Sequence, residues 1–248
     1  MTPNIQAHRG LSDVYPENTM LAYREAAKAG ASGIEMDIRR TADGVFVMMH
    51  DPSVNRTTNG TGYIEQLDYE GYLQTLDAGA WRSEAFKGRE DTKIPTLQQA
   101  LDEFRDSGIQ LILHVKQLPK DDALDVLRLV QSRGMLEQAV FFGGLEAINA
   151  VKRAEAAAFT QNDGAPGPDA YEAVLRNAVA YDHPAVSVSC AAVTPEMVSA
   201  IKRCGKLVHG SFLASDYEAG MKRLTDLGVD IVLGNDARKM AQAALENK

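Results

Sequence analysis

Cysteine is scarce in this chain of 248 residues: Cys190 and Cys204 are the only two. Thiols on separate predicted elements read as buried small hydrophobes rather than as a bridge or a zinc site, and a chain of this size needs neither to fold. Long apolar runs are missing as well. None approaches the roughly 18 residues that a membrane helix requires. The opening MTPNIQAHRG has neither the basic nor the apolar region of a secretory signal. These absences predict a cytoplasmic chain without stable membrane association. Positive charge is in deficit, with 26 Lys and Arg against 34 Asp and Glu and a formal charge of −8. Sequence-independent nucleic-acid binding needs a basic footprint, so nucleic acid is not an expected partner. A small phosphorylated ligand stays open, because a few local cations can hold one phosphate. Neither a GxGxxG nor a GxxxxGK[ST] run occurs, which removes the glycine-rich phosphate loops of open doubly wound sheets.

What is present is ordinary globular usage, 45% hydrophobic and 24% charged, without internal repeat, linker or low-complexity segment. Short apolar runs fall at residues 5–8, 33–38, 45–50, 109–115, 139–142, 156–160, 185–189, 207–212 and 230–233. Amphipathic stretches with a period near that of a helix separate most of them. Pro16, Glu17, Asn18 and Thr19 open one helix, with an acid facing its dipole, and Gly30 ends it. Further helices are expected at 97–107, 121–133, from Thr194 and Pro195 to Gly205, and at 215–227. Asp43-Gly44 is a two-residue hairpin signal that joins two of the nine runs. The remaining strands alternate with helices, as in a TIM-type (β/α)8 barrel forming one domain over residues 1–248. Residues 52–95, which carry Trp81, break the alternation and read as an insertion at the active-site face.

Histidine placement carries the first chemical signal. His8, His50, His114 and His209 fall in predicted strands, while His183 sits in a loop. A lone strand histidine is usually a core residue, but barrel strands converge their C-terminal ends on the catalytic centre. Glu35 and Asp37 form the second signal. Two residues apart on a strand, they share one face, while Ile34, Met36 and Ile38 line the other. Burying such a pair costs several kcal/mol unless a cation or donors compensate, and oxygen pairs of this kind suit Mg²⁺ or Ca²⁺. A two-residue loop at Asp43-Gly44 would set Asp37 opposite His50 on the same side of the hairpin. Arg9 and Lys116 follow histidines closely and are plausible phosphate ligands.

These residues belong to a longer pattern: His8-Arg9-Gly10, Pro16-Glu17-Asn18-Thr19, Gly33-Ile34-Glu35-Met36-Asp37, Asp43-Gly44, His50-Asp51, the run from Asn55 to Gly62, and Ile94-Pro95-Thr96-Leu97. In order and spacing it resembles the N-terminal half of the glycerophosphodiester phosphodiesterase family, over about the first 116 residues. The resemblance implies a TIM-type barrel, a small-molecule phosphodiester substrate, and hydrolysis to an alcohol and a phosphomonoester. It implies catalytic histidines matching His8 and His50 and a divalent metal held by Glu35 and Asp37. Arg9 and Lys116 would hold phosphate oxygens, supported by Glu17 at its helix start. Three departures stand out. The family's Glu-x-Lys of the third barrel strand is His114-Val115-Lys116 here, which makes His114 the expected third metal ligand and admits Mn²⁺ or Zn²⁺ beside Mg²⁺ or Ca²⁺. The family's Trp-Thr-Val-Asn is replaced by Val-His-Gly-Ser-Phe-Leu at 208–213, and the closing motif is altered at 228–236. A lyase that stops at a cyclic phosphate, and a phosphodiester-binding barrel with weakened catalysis, are the alternative readings.

Overall fold

Short strands flanked by helix signals fold as their pattern dictates. The computed structural model describes residues 2–115, 118–164, 168–212 and 216–246. Its strands are β1 (Asn4–Ala7), β2 (Gly33–Arg40), β3 (Phe46–Met48), β4 (Gln110–His114), β5 (Ala139–Gly143), β6 (Phe159–Asn162), β7 (Ala185–Ser189), β8 (Leu207–Ser211) and β9 (Ile231–Gly234). All but β3 run parallel, and β1 pairs with both β2 and β9, which closes the sheet into a TIM-type (β/α)8 barrel. The helices are α1 (Met20–Lys28), α2 (Leu97–Phe104), α3 (Lys120–Ser132), α4 (Leu145–Ala154), α5 (Pro168–Ala180), α6 (Pro195–Arg203), α7 (Tyr217–Leu227) and α8 (Ala237–Glu246). No helix among the described residues is long and apolar enough to cross a membrane.

Local details depart from the sequence reading for identifiable reasons. The hairpin pairs Ile38 with Met48, Arg39 with Val47 and Arg40 with Phe46. The Thr41 N–H donates to the Val45 carbonyl, so the loop holds three residues with Gly44 at φ 84°. Met49 therefore replaces His50 opposite Asp37, its N–H bonding the Asp37 carbonyl at 3.0 Å. His50 follows in the bend beyond β3. Helix α1 starts at Met20, because the Thr19 side chain caps the Ala22 N–H. Glu17 thus precedes the first turn, and its charge faces arginines instead of the helix dipole. Strand β6 is displaced toward the C-terminus from the apolar run, and its Thr160, Gln161 and Asn162 are buried. Cys190 is buried but Cys204 is exposed, contrary to expectation for the latter, and both are free thiols.

Apolar clusters fill the layer between strands and helices, while much of the upper barrel interior is polar. Between β3 and α2 the chain makes four short 3-10 turns over a cluster that includes Val47, Val54, Ile64, Leu73 and Ile94. Such turns lack a repeating apolar period, so the segment carried no helix or strand signal. In the interior, Gln161 Nε2 donates to Ser187 Oγ at 3.1 Å, and Ser187 Oγ meets His209 Nδ1 at 3.0 Å. These bonds are what polar residues at core positions require.

His183 provides a test of this packing. Its ring lies between Thr160 Oγ1 at 2.6 Å and Asn149 Oδ1 at 2.7 Å, a pairing that suits the neutral ring with hydrogen on Nε2. Burial, aided by Lys152 and Lys206, draws its pKa down to about 4. The unfolded chain takes up this proton below about pH 6.5 while the folded protein resists it, so the contribution is complete above that range and lost on acidification. Urea unfolding between pH 7 and pH 5 should therefore show a shallower loss of stability in His183→Gln than in the parent. Equal slopes would show that the buried ring does not govern this window.

Candidate metal and phosphate site

Glu35 and Asp37 project from β2 into the barrel, both with essentially no exposure. The preceding loop is shaped to meet them. Arg9 and Asn18 adopt positive φ, each 55°, an uncommon conformation for residues with side chains. This turns the Arg9 N–H onto Glu35 Oε2 at 2.9 Å and allows Asn18 Nδ2 to donate to Asp37 Oδ2 at 2.8 Å. Tyr23 OH, donating to Asn18 Oδ1 at 2.9 Å, fixes the amide orientation. Gly10 has φ 82°, and a Cβ there would come within 2.6 Å of the Ala22 backbone, so His-Arg-Gly is a steric requirement as much as a chemical one. The Arg9 guanidinium places Nε 3.2 Å from Asp37 Oδ2 and Nη1 2.9 Å from Glu17 Oε1.

His114, at the end of β4, points to the same centre. Its Nδ1 lies 3.0 Å from Glu35 Oε1 and 3.2 Å from Asp37 Oδ1, and its Nε2 lies 3.1 Å from Asp163 Oδ2. Burial by itself would depress the ring's pKa, but hydrogen bonds to Asp163, Asp37 and Glu35 hold it well above the usual imidazole range. Asp37 shifts the other way: burial opposes its charge, yet the bond to His114 and the charge of Arg9 keep its carboxyl well below the usual range. Glu35, Asp37 and His114 offer three ligand atoms within 4.8 Å of one another. Asp37 Oδ1 is buried and has the His114 ring beside it, 3.2 Å from Nδ1, so an acceptor atom faces this centre. Two carboxylates and one imidazole, with further positions left for water or ligand, fit a divalent ion of Mn²⁺ or Zn²⁺ character. To hold such an ion on Nδ1, His114 would give up its proton, and Asp163 would orient the ring from Nε2.

The expected histidines flank this cluster at the C-terminal end of the strands. His8 follows β1, and its Nδ1 lies 2.7 Å from Asn235 Oδ1, just beyond β9. His50 Nδ1 lies 2.7 Å from Asp51 Oδ1. Since a carboxylate or amide oxygen only accepts, both rings carry hydrogen on Nδ1. Lys116 lies outside the described residues. His209 is not at the rim: it is fully buried in the barrel, where burial draws its pKa to about 4.

Sequence reasoning missed Asp163, Asp51 and Arg56. Arg56 Nε and Nη2 bond Asp51, and Nη1 and Nη2 bond Glu17. In the sequence Asp51 and Arg56 stand only as parts of the longer pattern, and an acid directly after a rim histidine is the available signal. Asp163 gave none, because its contact with His114 spans 49 residues. Apart from this cluster, a cavity of about 730 Å³ lies between the ends of β7 and β8 and helix α7, lined by residues that include Ser189, Ser211, Phe212, Gly220 and Arg223.

Known proteins resemble this chain in sequence and in fold. The model of the glycerophosphoryl diester phosphodiesterase family matches residues 8–239. Glycerophosphodiester phosphodiesterase 1 of Homo sapiens is 44% identical over 110 residues, covering 44% of this chain and 33% of that protein. The glycerophosphodiester phosphodiesterase of Bacillus subtilis is 41% identical over 103 residues, covering 40% of this chain and 35% of that protein. The matched stretch is thus well under half of either relative's own length. Among solved structures, a glycerophosphodiester phosphodiesterase from Agrobacterium tumefaciens superposes with a TM-score of 0.82 at 27% identity, over 98% of this chain and all of that one (100%). A phosphodiesterase from Oleispira antarctica, in complex with the product sn-glycerol-3-phosphate, gives 0.86 at 25% identity over 99% of this chain and 97% of its own.

Metal titration tests the cluster directly. Mn²⁺ should bind with an affinity that rises with pH through neutrality, as His114 gives up its proton. Glu35→Ala or Asp37→Ala should weaken binding about tenfold or more while the far-ultraviolet spectrum is preserved. His114→Glu should favour Mg²⁺ or Ca²⁺ and flatten the pH dependence. Unchanged Mn²⁺ affinity in all three variants would remove these residues as ligands.

Proposed function

The chain belongs to the glycerophosphoryl diester phosphodiesterase family, and we propose that it hydrolyses a glycerophosphodiester to an alcohol and a phosphomonoester with a divalent metal. The observation that carries this reading is the buried Glu35, Asp37 and His114 cluster, flanked by two histidines held on their Nδ1 side. The Oleispira antarctica relative, with sn-glycerol-3-phosphate as its product, supports a phosphate that stays on the glycerol. Residues 52–95 then serve as an active-site insertion of the same barrel domain.

A phosphodiester resists hydrolysis because its charge repels nucleophiles and its leaving alkoxide is poor. The metal, held by Glu35, Asp37 and His114, would neutralise charge on the phosphoryl oxygens. Arg9, fixed by Glu17 and Asp37, and Lys116 add positive charge for the same oxygens. His8 and His50 form the acid–base pair. One Nε2 takes the proton of the attacking hydroxyl, and the other returns a proton to the departing alkoxide. In the family reading a neighbouring glycerol hydroxyl attacks first, and water then opens the cyclic phosphate.

The test is release of glycerol phosphate from glycerophosphoethanolamine in the presence of Mn²⁺ or Mg²⁺. Activity should follow a bell-shaped pH profile and fall about 10²-fold or more in His8→Ala and His50→Ala. No product with any divalent ion would overturn the assignment, and cyclic phosphate as the end product would replace hydrolase by lyase.

A further inference from the structure

Arg56 stands apart from the other surface arginines. Its Nε donates to Asp51 Oδ2 at 2.6 Å and its Nη2 to Asp51 Oδ1 at 3.1 Å, a two-pronged grip on one carboxylate. The opposite side grips Glu17, with Nη2 at 2.7 Å from Oε1 and Nη1 at 3.1 Å from Oε2. The Trp81 ring lies 5.8 Å from the guanidinium carbon. The side chain is nevertheless 43% exposed, and exposed ion pairs contribute little to stability. Two bidentate grips on a half-exposed arginine are therefore better explained by what they hold.

What they hold is His50. Asp51 Oδ1 accepts from both Arg56 Nη2 and His50 Nδ1, so one oxygen fixes the ring to the guanidinium. Arg39 holds the same histidine from its backbone side, donating to the His50 carbonyl. Through Glu17, Arg56 also reaches Arg9, whose Nη1 shares Glu17 Oε1. Three separate chain segments meet at this guanidinium: the loop before α1, the bend after β3, and the excursion that carries Arg56 and Trp81.

We propose that Arg56 is a positioning residue which, through Asp51, fixes the tautomer and orientation of His50, so that docking of the 52–95 segment completes the acid–base pair. Without Arg56, Asp51 is free to rotate and His50 can exchange its Nδ1–H tautomer for the other, which turns the wrong nitrogen to the substrate. The proposal rests on the phosphodiesterase reading for its kinetic consequences, but not for its structural one.

The experiment compares Arg56→Ala, Arg56→Lys, Asp51→Asn and the Arg56→Ala/Asp51→Asn double variant. Arg24→Ala serves as control, since Arg24 forms an equally bidentate surface pair with Glu103 away from this network. Arg56→Ala should lower kcat about 10²-fold, with KM and Mn²⁺ affinity changed less than about twofold and the melting temperature near that of Arg24→Ala. Arg56→Lys, which keeps the charge but loses the fork, should recover part of the loss. The double variant should be no worse than the poorer single variant, as expected for residues acting in series. Independently of activity, the imidazole ¹⁵N shifts of His50 should show reduced Nδ1–H population in Arg56→Ala, while those of His8 stay unchanged. Wild-type kcat in Arg56→Ala, additive losses, or an unaltered His50 tautomer would each overturn the proposal. If no variant or parent shows phosphodiesterase activity, the ¹⁵N shifts still decide the Arg56–Asp51–His50 relay while the functional reading fails separately.

Discussion

The structure is organised around two carboxylates that have no access to water. Glu35 and Asp37 sit side by side on β2 with 0% and 1% exposure. A charge pair of like sign in that position is tolerable only if cations and donors surround it. The surroundings supply Arg9 by backbone and guanidinium, Asn18 by its amide, and His114 by its ring. Two non-glycine residues with positive φ at this loop represent strain of order 1 kcal/mol each, held in place because the carboxylates need their donors there. Gly10 packs against the Ala22 backbone for the same reason. The constraint on β2 therefore propagates through the loop that carries His8 and into the start of α1.

Much of this arrangement was readable from periodicity. Spacing by two on an apolar strand places Glu35 and Asp37 on one face, and the same rule carries His114 to the inner face of β4. Alternation of short apolar runs with capped helices gives the barrel. The hairpin was misjudged by one residue because Thr41 intervenes. Its hydroxyl bonds both the N–H and the carbonyl of Val45, widening a loop that the Asp43-Gly44 signal alone suggests is two residues long. Strand β6 lies further along the chain because its last residues are polar on both faces: Gln161 and Asn162 are partnered by Ser187 on β7, and partners of that kind leave no local trace. Asp163 was invisible for the same reason. Arg56 was visible as a residue but not as a contact, since its role depends on how an aperiodic excursion folds back onto Glu17.

The position of Asp163 bears on how a histidine can stand where the resemblance expects a carboxylate. Replacing a carboxylate by imidazole removes one negative charge from the centre. Asp163 returns a carboxylate to the opposite nitrogen of the same ring, at 3.1 Å. The summed charge of the cluster is then close to that of three carboxylates, with the third displaced outward by the width of an imidazole. A carboxylate behind the ring also raises the basicity of the nitrogen that faces the metal and fixes the ring's orientation. The exchange thus moves charge from direct contact to one ring away, while Asp163 itself stays 45% exposed and more weakly coupled to the centre.

That displacement sets the balance of the site. A hard ion gains most from directly bound oxygen, so moving a carboxylate outward weakens the hold on Mg²⁺ or Ca²⁺ more than on an ion that accepts nitrogen. It would also make metal binding compete with a proton, because the ring that would ligate the ion is stabilised as imidazolium by three carboxylates. A carboxylate ligand, with its far lower intrinsic pKa, faces no such competition near neutrality. The side chain of residue 114 meets the barrel at Glu35, Asp37 and the Phe142 ring, at the end of β4, so the substitution falls on the centre and not on the strands that carry it. In the proposed reading, what changes is the ion the centre would prefer and the pH at which it would load.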